Sequence, residues 1–182
     1  MLPKISAKIA GMSSFLCALL MLFAIVGLSF YTYNFQLFGS WLSDLGTGNY
    51  GTLFNSILAI SALLLVPFGT YLYRELGRKE YIRIIFLLTA FFLVLLGIFD
   101  GNFYLHKPVA YIFFGLSALS MLIIGYNFRS TFGNITIIII IWCMAGILFL
   151  NPLIETIQAL VAIAWLFAAG AYVFTGRLTK VK

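Results

Sequence analysis

The sequence predicts an all-α membrane protein: a bundle of six transmembrane helices with both termini in the cytoplasm. Three observations carry this reading. Hydrophobic residues make up 63% of the 182-residue chain and charged residues 9%, where a soluble domain carries about a quarter charged residues. Six apolar stretches approach or exceed the roughly 20 residues needed to cross a hydrocarbon core as a helix. Lysine and arginine crowd into the termini and alternate loops.

The stretches cover about 9–31, 52–73, 82–99, 108–127, 134–150 and 153–175, so residues 1–182 read as a single transmembrane domain. The first follows a short basic opening, MLPKISAK, which resembles the start of a signal peptide. The apolar run continues to about Tyr31 with no small-x-small cleavage site behind it, so it reads as a retained span. The second contains Pro67, which should kink it, and closes at Gly77 among basic neighbours. The third and fifth are short and should stand nearly upright. Pro108 and Pro152 open the fourth and sixth, where a missing N–H costs little. Barrel strands would alternate strictly over about ten residues. ITIIIIIWCMAGILFL does not alternate, and lipid makes the backbone satisfy its own hydrogen bonds.

Orientation follows from charge. Lys4 and Lys8, then Arg74, Arg78, Lys79 and Arg83, then Arg129, then Arg177, Lys180 and Lys182 all fall on one side of such a bundle, leaving only Lys107 on the other. The positive-inside rule puts that basic side, with both termini, in the cytoplasm of a multi-pass cell-membrane protein. The net charge of +6 is then a collar facing anionic membrane lipids. Nucleic-acid binding would need a basic face on a folded module, and no such module is expected. Tyr31, Tyr33, Trp41, Tyr50, Tyr104 and Tyr111 gather near the outer boundary, and Tyr71, Tyr73, Tyr81 and Tyr126 near the inner one, as aromatic belts do.

The acids then sort themselves. Glu75 and Glu80 lie among the inner arginines as solvated partners. Asp44, Asp100 and Glu155 lie outside, with His106, the only histidine. Asp100 and His106 share the hairpin FDGNFYLHKP (99–108), where charge meets water at the headgroup level. Glu155 falls in the first turn of the sixth helix, where the helix dipole favours an acid. The longest loop, NFQLFGSWLSDLGTGNYG (34–51), carries Ser43 and Asp44, either of which should cap a short helix. Loops of that length often act as binding loops or lids. Asn55 and Ser56 lie one turn below the outer boundary, where such groups bond across helices. Ser43, Asp44, Asn55, Asp100, His106 and Glu155 are therefore the candidate ligand-binding residues.

WLSDLG (41–46), GTLFNSILAISALLLVPFG (51–69) and LLGIFDGNFYLHKPVAYIFFGLSALSMLIIG (95–125) together resemble the integral-membrane family called domain of unknown function 998, over about residues 10–175. Its recognisable points correspond here to Ser43, Asp44 or Leu45 with Gly46, to Phe54 with Asn55, and to Gly97, Phe99 and His106. The family usually has a proline after that phenylalanine, where this chain has Asp100. The resemblance implies a multi-helix bundle and no established activity.

Several functions are compatible with this pattern. An outer pocket would bind a lipid headgroup or a small ligand of unknown identity. A membrane-embedded hydrolase would use Ser43, His106 and Asp100 at the outer face. A structural or assembly role, as a homo-oligomer or within a membrane complex, would use small residues such as those of AGAYVFTG (169–176). A proton relay is disfavoured, because no Asp, Glu, Lys, Arg or His falls in a helix centre. One histidine with scattered carboxylates makes a poor metal set, and Cys17 and Cys143 sit in apolar runs, so neither metal nor cofactor is expected.

Overall fold

The structure, a computed structural model, describes residues 5–77, 80–128, 136–137 and 151–176. Every regular element among them is helical: α1 (Ala7–Leu22), which runs on through a π-turn at Phe23–Gly27, a short α2 (Ser43–Thr47), α3 (Gly51–Glu75), α4 (Glu80–Ile98), α5 (His106–Phe128) and α6 (Pro152–Phe174). Five helices among the described residues are long and apolar enough to cross a membrane: Ala7–Gly27, Gly51–Glu75, Glu80–Ile98, His106–Asn127 and Pro152–Phe174. They fall within a few residues of the first, second, third, fourth and sixth stretches read from the sequence. The fifth stretch, 134–150, lies almost wholly outside the described residues, as do Lys4, Arg78, Lys79, Arg129 and Cys143.

Local chemistry explains the boundaries. Ser6 caps α1 through its hydroxyl, which accepts the Ile9 N–H. Asn151 does the same for α6 at Ile154 N–H, and Pro152 occupies the first helical position. Gly77 at φ +85° follows α3 and Gly176 at φ +67° follows α6, the left-handed positions where a helix commonly stops. Pro67 lies inside a continuous α3.

Helix α1 turns small residues inward and large apolar ones outward, and the other helices also present large apolar residues on their outer faces. On α1, Ala10, Ser14, Cys17, Ala18 and Ala24 are buried, while Ile9, Met12, Leu16, Leu19 and Phe23 form an exposed stripe at helical spacing. Leu53, Ile60 and Leu63 on α3, and Ile84, Leu87 and Phe91 on α4, are exposed in the same way. In water such a surface would drive aggregation; in lipid it is the solvated face. Close backbone approach holds α1 to α6. A Cβ added at Gly11 would come within 2.8 Å of the Gly170 carbonyl oxygen, and the buried Ser14 hydroxyl donates to the Leu166 carbonyl at 2.8 Å. The small residues at 169–170 are thus used within the chain. α3 packs between α1 and α4, and α4 continues onto α5. The Thr89 and Ser120 hydroxyls, 3.1 Å apart, join those last two helices at depth.

At one end, Glu80 accepts a hydrogen bond from Tyr73 and pairs with Arg83 at 2.7 Å, with the guanidinium 5.4 Å from the Tyr73 ring centre. The opposite end, here called the mouth, holds residues 28–50 and the 99–105 hairpin.

Candidate functional site

The long loop closes over the mouth. Leu42 and Leu45 point into the bundle and are buried, Leu45 completely. Three hydrogen bonds hold the loop down. The Leu42 N–H donates to Glu155 Oε2 at 2.8 Å, the Thr156 hydroxyl donates to the Leu37 carbonyl at 2.8 Å, and Asn55 Nδ2 donates to the Gly46 carbonyl at 3.2 Å. Helix α2 lies close against α3: a Cβ at Gly46 would sit 2.7 Å from Asn55 Oδ1, so the Asn55 side chain would have to shift. A Cβ on Gly51 would collide with the Gly46 carbonyl.

Helix α2 forms without the cap expected from Ser43 or Asp44. Leu42 occupies the capping position and offers no side-chain oxygen. Asp44 lies inside the helix, and its carboxylate reaches back to the Trp41 N–H at 3.1 Å. The register of so short a helix turns Leu45 and Gly46 inward and leaves Asp44 exposed.

The 99–105 hairpin is built by its own polar residues. Asp100 Oδ1 accepts the Asn102 N–H at 3.0 Å in an Asx-turn, and the Phe99 and Phe103 rings stack 4.9 Å apart. The turn returns His106 beneath Phe99, so that its Nδ1 meets the Phe99 carbonyl. A carbonyl only accepts, so Nδ1 carries the proton and Nε2 of the neutral ring is an acceptor.

Beneath the loop lies a cavity of about 80 Å³, several times the least volume a single water needs. Ser43, Asn55, Asp100, His106 and Glu155 line its upper part, and Met21, Leu58, Leu93, Phe113 and Ala159 are among the apolar residues below. Five of the six candidate residues therefore share one cavity. Asp44 is the sixth; it is exposed and does not line it. Glu155 is only 6% exposed, and among the described residues the one hydrogen bond of its carboxylate is from the Leu42 N–H. A second cavity of about 50 Å³ continues below. Met21, Leu93, Phe113, Ser117 and Ala162 line both, so the two adjoin, one above the other, and are together called the shaft, which ends near Thr89, Ser120 and Trp165.

Ser43, Asp100 and His106 are gathered here but not wired as a relay. Asp100 holds the Asn102 N–H while the Phe99 carbonyl takes His106 Nδ1, and among the described residues Ser43 Oγ makes no hydrogen bond. No group of three or more His, Cys, Asp or Glu side chains among the described residues is placed to hold a metal ion.

The family model described as "Protein of unknown function (DUF998)" matches residues 15–172. The chain belongs to this family. No curated protein and no solved structure matches the chain. The positions that carry the sequence resemblance fall around the shaft mouth. Ser43 and Gly46 lie in the closing loop, Phe54 and Asn55 in the wall facing it, and His106 beneath the hairpin. Gly97 sets the approach of α4 to α3, where a Cβ would meet the Asn55 carbonyl oxygen at 2.7 Å. Leu42 and Ser117 also line the cavity without having been singled out as site residues from the sequence, and Thr156 fastens the loop without lining it. Ser117 and Thr156 carried a polar cue in the sequence; Leu42 carried none.

Proposed function

We propose that this DUF998 protein is a multi-pass cell-membrane protein with both termini in the cytoplasm, whose lidded cavity at the outer end binds a lipid headgroup or small ligand. One observation carries the reading: Ser43, Asn55, Asp100, His106 and Glu155 come from α2, α3, the hairpin, α5 and α6, yet face one cavity. Distant segments that converge polar groups on an otherwise apolar hollow are the ordinary form of a small-ligand site. A near-buried carboxylate with a single hydrogen bond is costly unless something else occupies its remaining capacity. The basic flanks of the opposite end support the orientation.

The test is thermal stability of purified protein against a panel of soluble headgroups: ethanolamine, glycerophosphoethanolamine, phosphocholine and glycerol. At least one should raise the midpoint of the wild type and fail to raise that of His106→Ala. Equal shifts in both would remove His106 from the site, and no shift with any of the four would defeat the reading.

A further inference from the structure

We infer that the ligand is a single-chain amphiphile with a hydrogen-bond-donating head, an amine or a hydroxyl, held at the mouth while its alkyl chain descends the shaft. The inference rests on the cavity being a ligand site, as proposed above, and adds the class of ligand.

The depth argues for a chain. The two cavities share five of their described lining residues, so they adjoin, and together they are lined from Glu155 in the first turn of α6 to Leu166 three turns below. At a rise of about 1.5 Å per residue, those eleven steps span roughly 17 Å. The lower lining is dominated by Leu65, Phe86, Phe113 and Met121, and its hydroxyls at Thr89 and Ser120 are engaged with each other. A polar solute would find little to bond there beyond the Ser117 hydroxyl, whereas an alkyl chain would fill the apolar hollow with van der Waals contacts.

The mouth argues for a donor head. Its strongest groups accept: the Glu155 and Asp100 carboxylates, and the His106 Nε2 left free when Nδ1 is committed to Phe99. No lysine or arginine is among the described lining residues, and Lys107, the next residue after His106, is exposed. A carboxylate or phosphate head would face two acids without a cation. An ammonium or hydroxyl head would supply the donor that Glu155 has capacity to accept. The selectivity also runs against the whole molecule. A net charge of +6 attracts anions non-specifically, so a preference for a cationic head would have to come from the mouth itself.

The full chain, in phosphatidylcholine nanodiscs, would be titrated with dodecylamine, 1-dodecanoylglycerol, dodecanoic acid and hexylamine, with native mass spectrometry counting bound molecules. Dodecylamine and dodecanoylglycerol should saturate at one per chain, and the acid and hexylamine should each bind about tenfold or more weakly, about 1.4 kcal/mol. Glu155→Gln keeps an acceptor for Leu42 and should erase the preference for amine over acid. Ala162→Phe should block the dodecyl compounds, with Ala162→Leu as the milder variant should the first fail to fold. Acid binding as tightly as amine overturns the head assignment. Hexylamine matching dodecylamine overturns the chain in the shaft. Should the dodecyl compounds fail while a soluble headgroup still stabilises in a His106-dependent way, this inference falls and the binding site stands; if both sets fail, the site itself falls.

Discussion

The backbone N–H of Leu42 and the carboxylate of Glu155, 113 residues apart, meet at 2.8 Å across the mouth of the bundle. This single bond does two things. It satisfies a buried N–H at the start of α2, and it pins the long loop to the first turn of α6. Removing the acceptor altogether leaves that N–H buried and unpaired, at a cost of about 1–3 kcal/mol. Glu155→Ala should therefore lower the unfolding free energy by that amount, and Glu155→Gln by clearly less. Chemical denaturation of the two variants in the same detergent checks the order; equal losses would show that the bond is not what the carboxylate supplies.

Thr156 adds a second strap one residue along, from its hydroxyl to the Leu37 carbonyl. Thr156→Val keeps the shape and removes the donor. The expected loss is about 0.5–1.5 kcal/mol. The local consequence should be larger than the global one, because the loop has few other anchors and opens independently of the helices. Hydrogen exchange of the amides at 37–47 should accelerate in Thr156→Val while exchange in α3 and α4 is unchanged. Uniform acceleration everywhere would mean that the loop and the bundle open as one unit.

Much of this fold was legible in the sequence because lipid leaves few choices. An apolar run of about 20 residues in a bilayer must be a helix, and Pro108, Pro152 and Gly77 punctuate the runs where the structure breaks them. The mouth was only partly legible. Five of six polar candidates reach the cavity, but Asp44 and Glu155 were equivalent as letters. What separates them is the register of a five-residue helix, which turns Leu45 inward and Asp44 outward. The length of the loop suggested a lid, but how it is fastened was not legible, because its chief anchor on the loop side is a backbone N–H that any residue at 42 would carry. The partner of His106 was hidden for the same reason: it is the carbonyl of Phe99, not the side chain of Asp100.

Glycine positions give a matched pair for testing helix packing. At Gly97 an added Cβ would lie 2.7 Å from the Asn55 backbone oxygen, and at Gly115 it would meet nothing within 4 Å among the described residues. Backbone cannot swing aside as a side-chain tip can, so Gly97→Ala should separate α4 from α3 and cost about 1–3 kcal/mol. Gly115→Ala should be neutral, or stabilising by up to about 1 kcal/mol through helix propensity. Thermal midpoints of both variants, measured side by side, test the contrast. A tolerant Gly97→Ala would mean that the two helices are not held at this distance.

Orientation decides which solution the cavity sees, and it yields the last prediction. Tyr104 in the mouth hairpin is 80% exposed and lies at the opposite end of α4 from the Glu80–Arg83 pair and its basic neighbours. If those arginines and lysines hold their end in the cytoplasm, a cysteine at 104 meets the external medium. In a background with Cys17 and Cys143 replaced by Ala, Tyr104→Cys in intact cells should react with a membrane-impermeant maleimide, and Arg78→Cys should react only after lysis. The control matters, because equal labelling of both before lysis would report leaky cells and not topology. The reverse pattern would turn the bundle over, open the mouth to the cytoplasm, and make any ligand a cytoplasmic or inner-leaflet molecule.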